Sequence, residues 1–126
     1  MSAATKRRVL LVDDTELSLR ATSRILSAMS YDVVTCTGPL EALELLGQSW
    51  IDCVVTDWDM PDGGGSVVLA ACHHCAIPVV VYTGDVETVE ALERRCVEAV
   101  LKPSTMPTLQ AAIARAIATT TERRSA

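Results

Sequence analysis

Apolar runs along the chain alternate five times with segments whose apolar residues recur at helical spacing. The runs carry valine, leucine and isoleucine on consecutive positions, which is typical of strands buried on both faces of a parallel sheet. They predict strands at residues 9–12, 31–36, 51–56, 77–82 and 99–101. The strict alternation of strand and helix predicts one α/β domain with helices on both faces of the sheet.

Capping residues, helix breakers and the spacing of apolar residues locate the first three helices. The first is predicted to begin after a cap at Asp14 or Thr15, the second at Gly38 and Pro39, and the third after a cap at Ser66. The inward stripes of the first two helices are predicted to be Leu17, Ala21, Ile25 and Ala28, and Leu40, Leu43 and Leu46.

A five-stranded doubly wound sheet with right-handed crossovers favours the strand order 2-1-3-4-5. Ligands of such sheets bind outside the carboxyl ends of the strands, at the crevice where strands one and three part. The residues that follow the strands are therefore the candidates for function. Polar side chains stand there after four of the five strands: Asp13, Asp14, Asp57, Thr83 and Lys102.

The three aspartates of this set require compensation, because an ionised carboxylate at the end of a buried strand is costly without a cation or hydrogen bonds. Between Arg24 and Arg94 the chain has no lysine or arginine. Converging carboxylates predict a hard divalent cation, and Mg2+ suits oxygen ligands best. With this ion, Asp57 would be a nucleophile toward a phosphoryl group, while Lys102 and Thr83 would stabilise the transferred oxygens.

Four sequence pieces, VLLVDD, VVTDWDMPDGGG, VVVYTGD and VLKP, occur in the order and spacing of the receiver domains of two-component response regulators. The chain resembles this family over residues 8 to about 118. The resemblance implies a flavodoxin-like, CheY-like fold of five βα units, with the receiver domain at 7–120 and short tails at 1–6 and 121–126. It implies phosphorylation of Asp57 by a histidine kinase or phosphotransfer protein. No enzymatic activity is expected beyond this transfer and autodephosphorylation.

The resemblance also implies a role for each residue of the acidic site. Asp14 would be a direct Mg2+ ligand together with Asp57, and Asp13 would hold metal-bound water. A backbone carbonyl, of Trp58 or of Asp59, would complete the ligands from the protein. The side chain of Trp58 is predicted to lie at the surface, as a lid over the site or as a partner contact.

Near the lysine, the chain both matches the family and departs from it. The resemblance implies that Lys102 and Thr83 bind the phosphoryl oxygens and that the bond between Lys102 and Pro103 is cis. The aromatic residue usual three positions before the lysine is Ala99 here, and the position after Lys-Pro, often phenylalanine, is Ser104. The usual aromatic route from site to surface is therefore absent. Coupling is expected instead through Thr83, the loop 84–86 and the fourth helix.

The fourth helix, the last strand and the fifth helix form the face that receivers commonly present to partners. The fourth helix is predicted over residues 86–95, and the fifth begins at Thr105 and Pro107. The outward face of the fifth helix is predicted to consist of Ala111, Ala114, Arg115 and Ala118. Small side chains favour close approach by an effector or output domain, or by a second copy in a homodimer. Alanine-rich helices are also stable without any partner.

Composition excludes several classes of protein. The net charge of -5 argues against nucleic acid as a direct partner. No apolar run approaches the length of a membrane span, and the basic start MSAATKRR leads into a strand rather than a signal peptide, so a cytoplasmic location is expected. Five irregularly spaced cysteines predict reduced thiols. The CHHC segment at 72–75 lacks a second ligand pair, so a helix end is favoured over a zinc site.

Two other functions compete with the receiver. Asp57-x-Asp59 resembles the opening of haloacid-dehalogenase phosphatases, but Pro61 stands where those enzymes carry threonine or valine, and no cap domain is present. A phosphorylation-independent interaction domain on the same fold is the third possibility, against which the complete set of site residues argues. A stand-alone receiver is expected, with the alternative that TTTERRSA begins a linker to an output domain.

Overall fold

The computed structural model describes residues 6–125, which form five strands that alternate with five helices. The elements are β1 (Arg8–Val12), α1 (Glu16–Ala28), β2 (Asp32–Cys36), α2 (Pro39–Gln48), β3 (Cys53–Thr56), α3 (Gly64–His74), β4 (Val79–Thr83), α4 (Val86–Arg94), β5 (Ala99–Leu101) and α5 (Met106–Ser125). The strands form one parallel sheet in the order β2-β1-β3-β4-β5. The predicted fold class and strand order are confirmed.

The predicted terminal tails are described only in part. Residues 1–5 and 126, which belong to the predicted tails 1–6 and 121–126, lie outside the described part. Helix α5 continues to Ser125 and so takes up the rest of the second segment. Within residues 6–125, no helix has both the length and the apolar character that crossing a bilayer requires.

The sheet separates two apolar cores, because successive residues of each strand point to opposite faces. Leu10, Val12, Val54 and Val81 face α2, α3 and α4. The residues between them, such as Leu11, Val55 and Tyr82, face α1 and α5. With both faces covered, polar side chains of the central strands are confined to the strand ends, where function was predicted.

The inward faces of α1 and α2 differ from the predicted stripes. In α1 the buried residues are Thr22 and Leu26, and Leu17 is 79% exposed. In α2, Ala42 is buried and Leu46 is partly buried, whereas Leu40 and Leu43 are exposed. Of the rest of the predicted α1 stripe, Ile25 is partly buried against the core, whereas Ala21 and Ala28 are exposed. Leucine-rich helices offer more than one apolar stripe, so apolar spacing alone identified only part of the inward face of each helix.

Candidate functional site

The backbone at the carboxyl ends of β1 and β3 is held by the sheet itself. The N–H of Asp57 donates to the carbonyl of Val12 at 2.9 Å, and the N–H of Asp13 donates to the carbonyl of Cys36 at 3.2 Å. Both aspartates therefore continue the parallel hydrogen-bond ladder one residue beyond their strands. Their side chains project from a rigid edge between the two halves of the sheet.

Three carboxylates converge at this edge. One oxygen from each of Asp13, Asp14 and Asp57 lies within 4.8 Å of the others. Asp13 is buried, Asp57 is partly buried and Asp14 is exposed, so the cluster opens to solvent on one side. One oxygen of each inner carboxylate accepts a backbone N–H: Thr15 donates to Asp13 at 2.9 Å and Trp58 donates to Asp57 at 2.7 Å. Such a set of hard oxygen donors suits a divalent cation such as Mg2+.

Lys102 supplies the positive charge of the site. Its ammonium lies 2.8 Å from Oδ2 of Asp13, 3.2 Å from Oδ2 of Asp57 and 2.8 Å from Oγ of Ser18. Burial lowers the pKa of Lys102, but the hydrogen bond to Asp13 and the charge of Asp57 outweigh it, so the pKa is raised above the ordinary lysine value. The ammonium is therefore retained at neutral pH. The bond between Lys102 and Pro103 is cis, as the resemblance implied.

Thr83 ends β4 beside the lysine. Its side chain is buried, and its Oγ1 accepts a long hydrogen bond of 3.4 Å from the N–H of Asp85. Its carbonyl accepts the N–H of Lys102 at 2.8 Å, which extends the pairing of β4 with β5. Thr83 and Lys102 are thus fixed relative to each other by backbone bonds, while the hydroxyl of Thr83 is only weakly held.

The loop after Asp57 turns back tightly onto the first turn of α3. The N–H of Gly65 donates to the carbonyl of Trp58 at 2.8 Å. A Cβ at Gly65 would lie 2.5 Å from the carbonyl oxygen of Asp57 and 2.8 Å from Cα of Trp58. Gly63 and Gly64 have φ values of 90° and 56°, which residues with a side chain rarely adopt. The three glycines therefore allow α3 to begin directly against the loop that carries Asp57.

One prediction about this loop is wrong and another is met in part. The N-terminal cap of α3 is Gly63 rather than Ser66, which lies inside the first turn, where its hydroxyl donates to the carbonyl of Gly63 at 2.7 Å. The side chain of Trp58 is partly exposed but also packs against the core on the α3 side of the sheet, and its role as a lid or a partner contact stays a prediction. Asp59 and Asp62 are exposed in the same loop. The packing of Trp58 could not be predicted because the sequence does not show how closely the Gly65 backbone approaches it.

Comparison with known families decides what kind of domain carries this site. The family model of the response regulator receiver domain matches residues 9–114, which include every residue of the acidic cluster and Lys102. The chain belongs to this family. The assignment replaces the haloacid-dehalogenase alternative.

Relatives and solved structures agree with the assignment. The chain is 33% identical over 109 residues to the two-component response regulator ARR11 of Arabidopsis thaliana, covering 82% of this chain and 21% of that protein. It is 35% identical over 114 residues to the probable transcriptional regulator ycf27 of Guillardia theta, covering 86% and 44%. The chain thus spans less than half of either relative. Vibrio cholerae chemotaxis protein CheY4 has the same fold, with a TM-score of 0.76, 24% identity and coverage of 89% of this chain and 99% of that one.

Two neighbours of the receiver lysine were missed by sequence reasoning. Ser18, in the first turns of α1, accepts a hydrogen bond from Lys102, and the ring of Tyr82 lies with its centroid 5.5 Å from the same ammonium. Neither residue directly follows a strand, so neither was among the sequence-predicted site residues. Strand alternation could have indicated Tyr82, because the residue before Thr83 lies at the same edge of the sheet but faces the side covered by α1 and α5.

The CHHC segment ends α3, as favoured. Cys72 is buried in the core, and His73, His74 and Cys75 are exposed at the last turn. Burial raises the pKa of the Cys72 thiol to about 12. All five cysteines are free thiols, as expected.

Proposed function

We propose that this receiver domain, at residues 7–120, accepts a phosphoryl group on Asp57 from a histidine kinase or a phosphotransfer protein. The proposal is carried by one observation: Asp57, held at the end of β3, shares the edge of the sheet with two further carboxylates and lies 3.2 Å from the Lys102 ammonium. A carboxylate in this position is a nucleophile that forms an acyl phosphate when the bond between phosphorus and the donor breaks. Phosphorylation would then switch a surface that binds a partner.

Mg2+ is the metal that this donor set fits. Asp14 and Asp57 would bind it directly, and the buried Asp13 would hold water bound to it. The carbonyl of Trp58 already accepts the Gly65 N–H, which favours the carbonyl of Asp59 as the backbone ligand. When bound, Mg2+ supplies positive charge that offsets the negative charge of the phosphoryl oxygens.

The other site residues would act on the phosphoryl group through charge and hydrogen bonds. Lys102 keeps its ammonium at neutral pH and lies close enough to Asp57 to bind an oxygen of the phosphoryl group once Asp57 is modified. The hydroxyl of Thr83, which accepts a long 3.4 Å bond from the N–H of Asp85, would donate its own proton to another phosphoryl oxygen, and the shift of the side chain that this requires would exchange the weak bond to Asp85 for a stronger one. That exchange would move the loop leading into α4, and this is the proposed start of the switch.

The experiment is phosphorylation of the purified chain with acetyl phosphate, measured by intact mass. We expect wild type to gain the mass of one phosphoryl group with Mg2+ and to remain unmodified with EDTA. Asp57→Asn should remain unmodified in both. The matched control is Asp62→Asn, an exposed aspartate of the same loop to which no role in the site is assigned, and it should be modified like wild type. Equal modification of Asp57→Asn would move the acceptor to another residue.

The proposed partner surface is the face formed by α4, β5 and α5. Val86, Leu101 and Met106 are exposed large apolar residues on these elements or at their ends. The outward face of α5 carries Ala111, Ala114 and Ala118 as predicted. An effector or output domain, or a second copy of the chain, would bind here in the cytoplasm. Amide shifts confined to α2 and α3 upon addition of a partner would contradict this assignment.

A further inference from the structure

Tyr82 is a buried aromatic residue of β4 whose ring lies near the Lys102 ammonium. It is 3% exposed and packs in the core beneath α1 and α5, on the side of the sheet opposite to Thr83. Its ring centroid lies 5.5 Å from Nζ of Lys102. This distance is within the range over which an ammonium is attracted to the face of an aromatic ring.

The hydroxyl of Tyr82 contacts the segment that follows the lysine. It accepts the backbone N–H of Ser104 at 3.1 Å, and Oγ of Ser104 lies 3.3 Å from it. Oγ of Ser104 also lies 3.1 Å from the carbonyl oxygen of Thr105, the residue before α5. A buried phenol without a partner would be destabilising, so these contacts fix where the chain passes after Pro103.

Tyr82 therefore makes two contacts with the segment that carries Lys102. Its ring lies near the Lys102 ammonium, and its hydroxyl accepts the backbone N–H of Ser104, two residues later. The remaining contacts of the ammonium are all to oxygen atoms, of Asp13, Asp57 and Ser18. The aromatic ring is the one contact of the ammonium, among the described residues, that is not an oxygen atom. It also limits the directions in which the long, flexible lysine side chain can turn.

We propose that Tyr82 is a positioning residue for Lys102: its ring orients the ammonium toward Asp57, and its bond to Ser104 holds the segment on which the lysine is mounted. This inference deepens the proposed function, and its test by phosphorylation rate rests on Asp57 being the phosphoryl acceptor. The ring would orient the ammonium and the hydroxyl would hold the backbone at Ser104, and two substitutions separate these roles. Tyr82→Phe keeps the ring, and Tyr82→Leu removes it.

The experiment compares these variants with Tyr31→Leu, a substitution of the chain's other tyrosine. Tyr31 is partly buried against the same core and directly precedes β2, at the opposite end of the sheet from the site, so it controls for the loss of a ring from this core. We expect Tyr82→Leu to slow Asp57 phosphorylation by acetyl phosphate about three- to tenfold, since a cation–π contact is lost. Tyr31→Leu should stay within about twofold of wild type, and Tyr82→Phe, which keeps the ring but loses the bond to Ser104, should give a rate between those of wild type and Tyr82→Leu.

A spectroscopic readout separates positioning from a merely structural role. In wild type and Tyr82→Phe, the methylene protons next to the Lys102 ammonium should carry an upfield ring-current shift, which Tyr82→Leu should abolish. Tyr82→Phe should instead shift the amide of Ser104. Random-coil values for the Lys102 methylene protons in wild type would overturn the inference, even if Tyr82→Leu does not fold. So would a Tyr82→Leu protein that is phosphorylated as fast as wild type.

Failure of the proposed function would appear differently. Wild-type protein that is never modified at Asp57 contradicts phosphorylation of that residue, whatever the Tyr82 variants do. A normal ring-current shift in the same sample would still show that the ring orients the ammonium. The two results are therefore independent.

Discussion

The two ends of the sheet carry charged side chains in opposite ways. At the amino end, Asp52 accepts the N–H of Arg8 at 2.7 Å and the indole N–H of Trp50 at 2.9 Å. The guanidinium of Arg8 pairs with Asp32 at 3.0 Å, and both side chains are close to half exposed. Each carboxylate there has its own donors and contact with water, so these charges support the fold.

At the carboxyl end, three carboxylates lie together, and two of them share one cation. Within residues 6–125, the ion pairs of Asp13 and Asp57 are both with Lys102, and these side chains are mostly buried. Carboxylates held this close repel one another, and the repulsion is stronger where water is excluded. The paired charges at the amino end are satisfied within the fold, whereas the carboxyl end keeps an excess of negative charge. The proposed Mg2+ would offset that excess.

The largest expected effect comes from removing the one cation of the carboxyl end. Lys102→Met should lower the free energy of unfolding by about 3 kcal/mol in Mg2+-free buffer, because two mostly buried carboxylates lose their partner. Lys6→Met, at the other lysine of the chain, is exposed at the amino end and should change stability by less than about 0.5 kcal/mol. Urea denaturation with and without EDTA measures both.

Added Mg2+ and alkaline pH sharpen the same test. Mg2+ should restore more stability to Lys102→Met than to wild type, because the cluster without the ammonium is more negative. The pKa of Lys102 is raised on folding, so the ion pairs contribute fully below the ordinary lysine value of about 10.4 and are lost as pH rises through the folded value. If Lys102→Met and wild type had equal free energies of unfolding at neutral pH, the carboxylates at this end of the sheet would not depend on Lys102 for stability.

The second test asks whether the acidic end also depends on close backbone packing. Gly65→Ala would place a Cβ 2.5 Å from the carbonyl of Asp57, so it should lower the free energy of unfolding by about 1–3 kcal/mol. Gly47 lies in the last turn of α2, towards the amino end of the sheet, and a Cβ there would have no atom within 4 Å. Gly47→Ala should therefore raise the free energy of unfolding by about 0.5–1 kcal/mol. Thermal unfolding of the two variants should therefore give shifts of opposite sign. Two stabilising substitutions would show that the loop after Asp57 is loosely packed.

The sequence predicted the strands and the acidic edge because both depend on local pattern. Valine-rich runs that alternate with helical segments predict a covered parallel sheet, and the strand order of such a sheet brings Asp13 and Asp57 together. The stripe of α1 was wrong in part because Thr22, a polar residue, takes a buried position while Leu17 is exposed. Apolar spacing has no means of detecting such an exchange.

Contacts that depend on packing could not be read from the sequence. Ser18 and Tyr82 reach Lys102 from α1 and from the core side of β4, over separations of 84 and 20 residues (102 − 18 and 102 − 82). The partial burial of Trp58 follows from the approach of the Gly65 backbone, which only the structure places. The aspartates were predictable because a rigid sheet positions them, whereas these neighbours depend on how helices and loops pack against it.

The smallest effect should come from removing a single negative charge at each end. Asp14→Asn removes the exposed member of the crowded cluster and should raise the free energy of unfolding by about 0.5–1 kcal/mol in Mg2+-free buffer, because repulsion falls. Asp52→Asn should lower it by about 1 kcal/mol, because a neutral amide has one acceptor oxygen for the N–H groups of Arg8 and Trp50. Mg2+ should stabilise Asp52→Asn as it does wild type, but should add little to Asp14→Asn, which has lost a ligand. Chemical denaturation of both variants with and without Mg2+ measures all four values, and destabilisation by Asp14→Asn in the absence of the metal would show that the acidic end is not under electrostatic repulsion.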